Sequence, residues 1–130
     1  MNIEVGLRGE ASLVVGEADT ARAMRSGTVD VLATPRLIAL CEEATCMALD
    51  GRLPAGHTTV GMRVQVDHLQ PTAVGSRVDA EATLEKVEGR RLTFTVSASD
   101  TRGLVAAGRV TRVLVEVERF CSRAHGSDGS

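Results

Sequence analysis

The chain has 130 residues and a formal net charge of -2, so it fits one domain with its own core and lacks the charge excess of a polyanion-binding protein. Only 2% of its residues are aromatic, Phe94 and Phe120, which excludes nucleic-acid modules built on stacked aromatics and aromatic cages for quaternary ammonium ligands. The core must therefore be aliphatic.

The first 49 residues predict a strand, a loop and one helix. Residues 3–16 alternate weakly between polar and apolar side chains, as in a strand, whereas residues 17–33 are mixed and predict a loop. An apolar-periodic stretch then follows Thr34 and Pro35. Because threonine can cap a helix and proline is favoured at the first helical position, we predict a helix over residues 35–49, with Thr34 as its cap.

Four strands are predicted after the helix, because apolar residues recur there at every second position. They cover about residues 59–68, 77–87, 92–99 and 104–120. On the first of these strands the two-residue period places five side chains on one face, namely Val60, Met62, Val64, Val66 and His68. The opposite face is then formed by Thr59, Gly61, Arg63, Gln65 and Asp67. Short turns between consecutive strands predict an antiparallel meander.

One helix on one face of such a sheet gives an α+β two-layer domain. We assign this single domain to residues 1–120 and expect residues 121–130, rich in Ser, Gly and Asp, to be a flexible C-terminal tail. Because a single helix covers too little of a broad sheet, a homodimer is expected.

Several absences in the sequence bear on where the protein works. The three cysteines form no Cys-x-x-Cys pair, and the first residues lack the pattern of a secretory signal. No run of 18 apolar residues could span a membrane. We therefore expect a reduced, cytoplasmic protein that has neither a membrane nor a nucleic acid as its partner.

Two polar residues stand out against apolar surroundings. On a helical wheel Glu43 falls on the polar side, whereas Glu42 falls beside Ile38 and Leu49. Burying a carboxylate is costly, so Glu42 is either an edge residue that reaches water or part of a site. His68, at the end of an apolar strand face, is either held by loop carbonyls or catalytic. No second ligand at a metal-like spacing accompanies them, so no metal site is predicted.

The order of elements, one helix and then an antiparallel meander, resembles the hot-dog fold of acyl-CoA thioesterases. Residues 66–75 are similar to the strand-to-turn motif of that superfamily. More narrowly, roughly residues 30–120 resemble the fluoroacetyl-CoA-specific thioesterase family, whose turn and strand closely match residues 88–100. The resemblance implies a hot-dog fold, an antiparallel sheet wrapped around one long central helix.

The resemblance also implies a catalytic set. In that family a threonine at the start of the helix, a glutamate eight residues on and a histidine a further 26 on act together, and Thr34, Glu42 and His68 have these spacings. Gly61 and Arg112 fall where the family has a substrate-binding glycine and arginine. The implied activity is hydrolysis of a small acyl thioester on coenzyme A or an acyl carrier, with no cofactor besides the coenzyme A of the substrate.

The mechanism and the acyl group stay open at this point. Glu42 can act as nucleophile or as general base for water, His68 can move protons, and Thr34 can orient Glu42 or attack. Arg25 and Thr28 stand where the fluoroacetyl-specific enzyme carries the phenylalanines of its lid, so a different and more openly accessed acyl group is expected. The alternatives are a non-catalytic acyl-CoA or small-ligand binding protein of the same fold, and an acyl-thioester dehydratase or isomerase.

Overall fold

A computed structural model describes residues 2–126 as five strands and two helices. In chain order the elements are β1 (Arg8–Val14), α1 (Thr34–Ala48), β2 (His57–His68), β3 (Arg77–Glu88), β4 (Arg91–Asp100), β5 (Gly103–Glu116) and α2 (Val117–Ala124). The strands form one antiparallel sheet in the order β1-β3-β4-β5-β2, and α1 contacts all five of them. The predicted α+β class is confirmed.

The core lies between α1 and the inner face of the sheet, as the sequence periodicities predict. The apolar stripe of the helix is buried, namely Leu37, Leu40, Cys41, Ala44 and Ala48. Opposite it, alternate residues of β3 and β4 are buried as well, namely Val78, Ala80, Ala82, Leu84, Leu92, Phe94, Val96 and Ala98. Burial of such aliphatic side chains is the main favourable term in folding, so this layer fixes where the helix sits.

The predicted meander is correct for β3, β4 and β5 and wrong for β2. The structure pairs β2 with β5, so β2 and β1 form the two edges of the sheet. The chain that leaves β2 is held away from β3 by contacts outside the sheet: Leu32 donates to the carbonyl of Thr72, and Thr72 donates to Asp100. These contacts bring the end of β2 next to the start of α1.

A β-bulge at Met62 changes which residues of β2 face the helix. Gly61 pairs with Arg112 and Arg63 pairs with Thr111, so Met62 is an extra residue in the strand. A bulge shifts the alternation of side chains by one position. The prediction that His68 and Gly61 lie on opposite faces is therefore wrong, because the bulge places both on the side of α1.

The last predicted strand is too long. It ends at Glu116 instead of Phe120, and Val117–Ala124 form the amphipathic helix α2. The apolar residues of α2 recur at helical spacing, but the alternation of the preceding strand was extended over them in the prediction. The predicted tail, residues 121–130, overlaps this helix up to Ala124. Residues 127–130 lie outside the described part of the chain, and the flexibility of the tail stays a prediction.

Candidate active site

The start of α1 and the end of β2 bring Thr34 and His68 together. The hydroxyl Oγ1 of Thr34 lies 2.9 Å from Nδ1 of His68, although the two residues are 34 positions apart in sequence. A hydroxyl paired with an imidazole is the arrangement that activates a nucleophile or relays a proton. This contact joins two of the three residues that are predicted to be catalytic.

Thr34 does not serve as the helix cap. Ala33 occupies the capping position, and its side chain makes no capping hydrogen bond. Thr34 is the first residue of the helix, and Pro35 is the second. The threonine hydroxyl is therefore free of the structural role that the sequence predicted for it and is directed to His68 instead.

His68 is half-buried, and the far side of its ring has no hydrogen-bond partner. The Nε2 atom is buried, yet no described residue donates to it or accepts from it. Burial lowers the pKa of His68 below its usual range, and the backbone of Gln70 acts weakly in the opposite direction. Because buried polar atoms almost always have a partner, Nε2 is available to a water molecule or to an atom of a substrate.

A pocket of about 310 Å³ adjoins the Thr34–His68 pair. Its walls come from the segment before α1 and from the loop after β2, and its lining consists of small, aliphatic and amide side chains beside the two site residues. The wall contributed by the first segment includes Ala21, Ser26, Gly27, Val29 and Val31. A volume of this size suits a small ligand.

Glu42 lies on the second turn of α1 beyond Thr34 and is bound by a buried arginine. The Nη1 atom of Arg112 donates to Oε2 of Glu42 at 3.2 Å. The arginine side chain is 8% exposed and the glutamate side chain 35%, whereas that of the neighbouring Glu43 is 53% exposed. The predicted half-burial of Glu42 is thus correct, and its donor is Arg112.

Two residues of β2 complete the surroundings of this carboxylate. Thr59 receives two hydrogen bonds from Arg112, one on its hydroxyl and one on its carbonyl, both at 2.9 Å. Gly61 lies directly against Glu42, since a Cβ at this position would be 2.5 Å from Oε2. The sequence analysis missed Thr59. The residue pattern of one strand does not show that a threonine hydroxyl accepts a hydrogen bond from an arginine 53 residues away.

The structure therefore divides the predicted site residues into two clusters within one chain. We call Thr34 and His68 the threonine–histidine cluster, and Glu42, Thr59, Gly61 and Arg112 the carboxylate cluster. Thr34 and Glu42 are eight residues apart on α1, about 12 Å at 1.5 Å per residue. The clusters also occupy opposite ends of β2, about 20 Å apart along the strand. One chain alone does not bring the three predicted catalytic residues into contact.

Within residues 2–126, no three His, Cys, Asp or Glu side chains are grouped so that they could hold a metal ion. Neither described helix combines the length and apolar character needed to cross a bilayer.

Comparison with known proteins identifies the family. A family model described as fluoroacetyl-CoA-specific thioesterase matches residues 15–118. The chain belongs to this family. A fluoroacetyl-CoA thioesterase of Streptantibioticus cattleyicolor is 34% identical over 91 residues, which are 70% of this chain and 66%, just under two thirds, of that relative.

Solved structures of this thioesterase family agree with the fold. A crystal structure of the fluoroacetyl-CoA thioesterase superimposes with a TM-score of 0.91 at 28% identity, covering 98% of each chain. A thioesterase superfamily member from Thermus thermophilus superimposes with a TM-score of 0.86 at 29% identity, covering 95% of this chain and 94% of its own. Variants of the fluoroacetyl-CoA thioesterase are solved with fluoroacetate and CoA and with acetyl-CoA. The predicted family and hot-dog fold are confirmed, and the predicted activity, thioester hydrolysis, is that of the family.

Proposed function

We propose that this protein hydrolyses small acyl-CoA thioesters with Thr34, Glu42 and His68, at sites that two copies of the chain build together. The observation that carries the proposal is the 2.9 Å contact between Thr34 and His68 next to a pocket. The complexes of the related thioesterase with acetyl-CoA and with fluoroacetate and CoA support the substrate class.

The chemistry requires that the acyl–sulfur bond breaks, that an acyl–oxygen bond forms with water, and that the leaving thiolate gains a proton. Glu42 either takes a proton from the water that attacks the thioester carbonyl, or attacks the carbonyl itself to give an anhydride that water then hydrolyses, which regenerates the carboxylate. His68 is neutral at the start, takes up at Nε2 the proton that the water releases and passes it to the thiolate, while its Nδ1 is held by Thr34. The reaction consumes only thioester and water, so no further cofactor belongs to the proposal.

Glu42 and Arg112 form an ion pair before the reaction begins. The Oε2 atom accepts from Arg112, whereas Oε1 makes no hydrogen bond within residues 2–126. We assign Oε1 to the reacting water or carbonyl. Gly61 and Arg112 then border the substrate, because both lie against the same carboxylate.

A second copy of the chain supplies the missing half of each site. Strand β2 is an edge of the sheet, its backbone on that side is unpaired within residues 2–126, and its apolar Met62 and Val64 are exposed. Long apolar edges seldom stay uncovered, since they offer a template for pairing with another strand. We infer that two β2 edges pair antiparallel and extend the sheets into one.

The register of this pairing follows from the positions of the two clusters. If the twofold axis passes midway between Gly61 and His68, near Val64, then His68 of one copy lies opposite Gly61 of the other. The threonine–histidine cluster of one chain then meets the carboxylate cluster of its partner, twice in each dimer. This arrangement accounts for both the split site and the exposed edge.

Heterodimers of two inactive variants test both parts of the proposal. We expect Glu42→Ala and His68→Ala homodimers to hydrolyse acetyl-CoA at least about 100-fold more slowly than the wild type, as expected when an essential group is lost. A heterodimer isolated with two different tags contains one site with both substitutions and one intact site, so it should regain about half of the wild-type activity.

Controls decide between shared and separate sites. A heterodimer of two Glu42→Ala chains carrying the same two tags should stay inactive, which excludes an effect of the tags. If each site lay within one chain, the mixed heterodimer would also stay inactive. Full wild-type activity in both homodimers would overturn the assignment of Glu42 and His68, and a monomer in light scattering at micromolar concentration would overturn the shared site. The cytoplasmic location expected from the sequence stays a prediction.

A further inference from the structure

A buried threonine lies next to the threonine–histidine cluster and takes no part in the proposed chemistry. Thr72 is 2% exposed and follows His68 by four residues, at the far end of the loop that forms one wall of the pocket. The other buried threonines of residues 2–126 donate to a main-chain carbonyl three residues away or accept from Arg112, namely Thr20, Thr45 and Thr59. Of these buried hydroxyls, that of Thr72 is the one that donates to a carboxylate.

The acceptor of this hydrogen bond is the carboxylate of Asp100, at the end of β4. The Oγ1 atom of Thr72 donates to Oδ2 of Asp100 at 3.2 Å, across 28 positions of sequence. The other carboxylate oxygen, Oδ1, accepts from the backbone N–H of Arg102 at 2.8 Å, so the turn into β5 fixes the orientation of the group. A hydroxyl that donates to a charged acceptor forms a stronger bond than one that donates to a neutral group. The sheet therefore offers a fixed anchor for residue 72.

The main chain of Thr72 contacts the segment that leads into α1. Its carbonyl accepts from the N–H of Leu32 at 2.9 Å, and Leu32 lies two residues before Thr34. The neighbouring residues Val31 and Ala73 form an antiparallel bridge. Residue 72 is thus bound to β4 through its side chain and to the start of the helix through its carbonyl.

The opposite end of the loop is bound to β5. The N–H of Leu69, the residue after His68, donates to the carbonyl of Val105 at 2.7 Å. Only three residues separate His68 from Thr72, and the last of them is Pro71, whose ring restricts the backbone. Because so short a loop is held at both ends, a displacement of Thr72 is transmitted to His68.

We propose that Thr72 and Asp100 are positioning residues for the reaction. Their hydrogen bond fixes the end of β2 against the start of α1, which keeps Thr34 within reach of Nδ1 of His68. Neither residue lines the pocket or forms a hydrogen bond with the pair, so both act through the loop and through Leu32. The inference rests on the proposed function and deepens it, since it names what keeps the threonine–histidine cluster aligned. A misplacement of about 1 Å in a site can cost about 100-fold in rate.

Two variants at residue 72 separate the hydroxyl from the shape of the side chain. Thr72→Val keeps the shape and removes the donor, so we expect kcat for acetyl-CoA to fall about tenfold while KM stays within about twofold. Thr72→Ser keeps the hydroxyl and should recover most of the lost kcat. Thr95→Val is the matched control, because Thr95 also donates to a carboxylate, that of Glu85 at 2.7 Å, but on the outer face of the sheet. Its kcat should equal that of the wild type.

A double substitution tests whether Thr72 acts through Asp100. Asp100→Ala should lower kcat to a similar extent, and the protein with both Thr72→Val and Asp100→Ala should lie within about threefold of the less active single variant. Independent effects would instead multiply to about 100-fold, and that result would overturn the inference. Circular dichroism verifies that each variant is folded at the assay temperature. If Asp100→Ala does not fold, the comparison of Thr72→Val with Thr72→Ser decides alone.

A titration of His68 by NMR reports the position of its ring without relying on catalysis. Burial lowers the pKa of His68, so a ring that moves with a loosened loop becomes more exposed, and its pKa rises towards the usual value. We expect this rise in Thr72→Val and not in Thr72→Ser or Thr95→Val. Because none of these substitutions changes a charge, the rise measures the access of water to the ring.

These measurements distinguish failure of the inference from failure of the proposed function. If the wild type does not hydrolyse acetyl-CoA but the pKa of His68 rises in Thr72→Val alone, the proposed function fails and Thr72 still positions the histidine. If the wild type hydrolyses acetyl-CoA and Thr72→Val matches it in kcat and in the pKa of His68, the proposed function stands and the inference fails. An equal loss of kcat in Thr72→Val and Thr72→Ser would also overturn the inference, since the hydroxyl would then not matter.

Discussion

The guanidinium of Arg112 bridges α1 and β2 by binding the carboxylate of Glu42. Its Nη1 lies 3.2 Å from Oε2 of Glu42, while its Nε and Nη2 hold the hydroxyl and the carbonyl of Thr59 at 2.9 Å each. The arginine is buried, so this ion pair is less screened by water than a surface pair. The position of a carboxylate on the helix is thus set by a hydroxyl on an edge strand.

Replacing Thr59 by valine tests whether this chain of contacts positions Glu42. Valine keeps the shape but removes the hydroxyl that accepts from Nε of Arg112, so the guanidinium loses one anchor. We expect kcat for acetyl-CoA to fall about tenfold, with KM little changed, because the contact acts on geometry and not on binding. Thr59→Ser restores the hydroxyl and should restore kcat. Equal activity of the valine and serine variants would remove Thr59 from the site.

A methyl group at residue 61 should impair activity without unfolding the protein. In Gly61→Ala the Cβ would meet Oε2 of Glu42, which is the far end of a flexible side chain and can move aside. The movement breaks the contact with Arg112, and we expect kcat/KM to fall about 10- to 100-fold at an almost unchanged melting temperature.

Gly108→Ala provides the matched comparison. A Cβ there would meet the backbone of Gln65 and Val66 on the neighbouring strand, which cannot move aside without opening the sheet. This variant should lower the melting temperature clearly. A Gly61→Ala protein that melts as early as Gly108→Ala would show that the glycine serves the fold instead of the site.

The sequence predicted those features that depend on one element at a time. Burial along α1 and along β3 and β4 followed from periodicity, because each of these elements has one face against the core. The half-buried position of Glu42 followed in the same way. Gly61 and Arg112 were identified only by the family resemblance, because no periodicity in the sequence marks them.

Features that depend on two distant segments could not be predicted. The bulge at Met62 follows Gly61, and a glycine inside a strand can mark a bulge, but the extra residue is defined only by the pairing with β5, so the alternation on β2 was continued to His68 in the wrong phase. The pairing of β2 with β5 joins strands that β3 and β4 separate in sequence, and the segment after β2 contacts Leu32 and Asp100, which are also far away along the chain. The role of Thr59 depends in turn on that pairing.

The value of kcat/KM should fall at acidic pH because His68 becomes protonated. Burial lowers the pKa of this imidazole, so His68 stays neutral at pH values where an exposed histidine is already half protonated. We expect kcat/KM to stay level from neutral pH to below the usual histidine value of about 6.5 and then to fall. A fall centred above that value would contradict the assignment.

The same shift predicts a stability effect with a defined sign. The unfolded chain binds a proton on residue 68 at higher pH than the folded chain does, so the free energy of unfolding should fall as pH falls from the usual histidine pKa to the lowered one. Urea unfolding at several pH values measures this change. His68→Gln should be less sensitive to pH in the same interval, and equal sensitivity of both proteins would contradict the prediction.

The three cysteines should differ sharply in their reactivity. Burial raises the pKa of Cys41 to about 11, and the negative charge of the adjacent Glu42 adds to the shift, whereas Cys46 and Cys121 are exposed. Since the thiolate is the reactive form, iodoacetamide at mildly alkaline pH should modify Cys46 and Cys121 and leave Cys41 intact. Peptide mass spectrometry measures the result, with urea-denatured protein as the control in which all three react. Rapid labelling of Cys41 in the native protein would contradict its buried position on the inner face of α1.

Selectivity between acetyl and fluoroacetyl groups should be weak. The pocket beside Thr34 and His68 is walled by small and aliphatic side chains of the segment before α1, and the family resemblance implies that Arg25 and Thr28 replace aromatic residues of the fluoroacetyl-specific enzyme. Without rings to close over the acyl group, a single fluorine changes few contacts, and isosteric groups are then poorly discriminated. We expect kcat/KM for fluoroacetyl-CoA and acetyl-CoA to agree within about tenfold. A 1000-fold or larger preference for fluoroacetyl-CoA over acetyl-CoA would contradict the prediction, because it would show that the pocket discriminates between the two acyl groups without aromatic side chains.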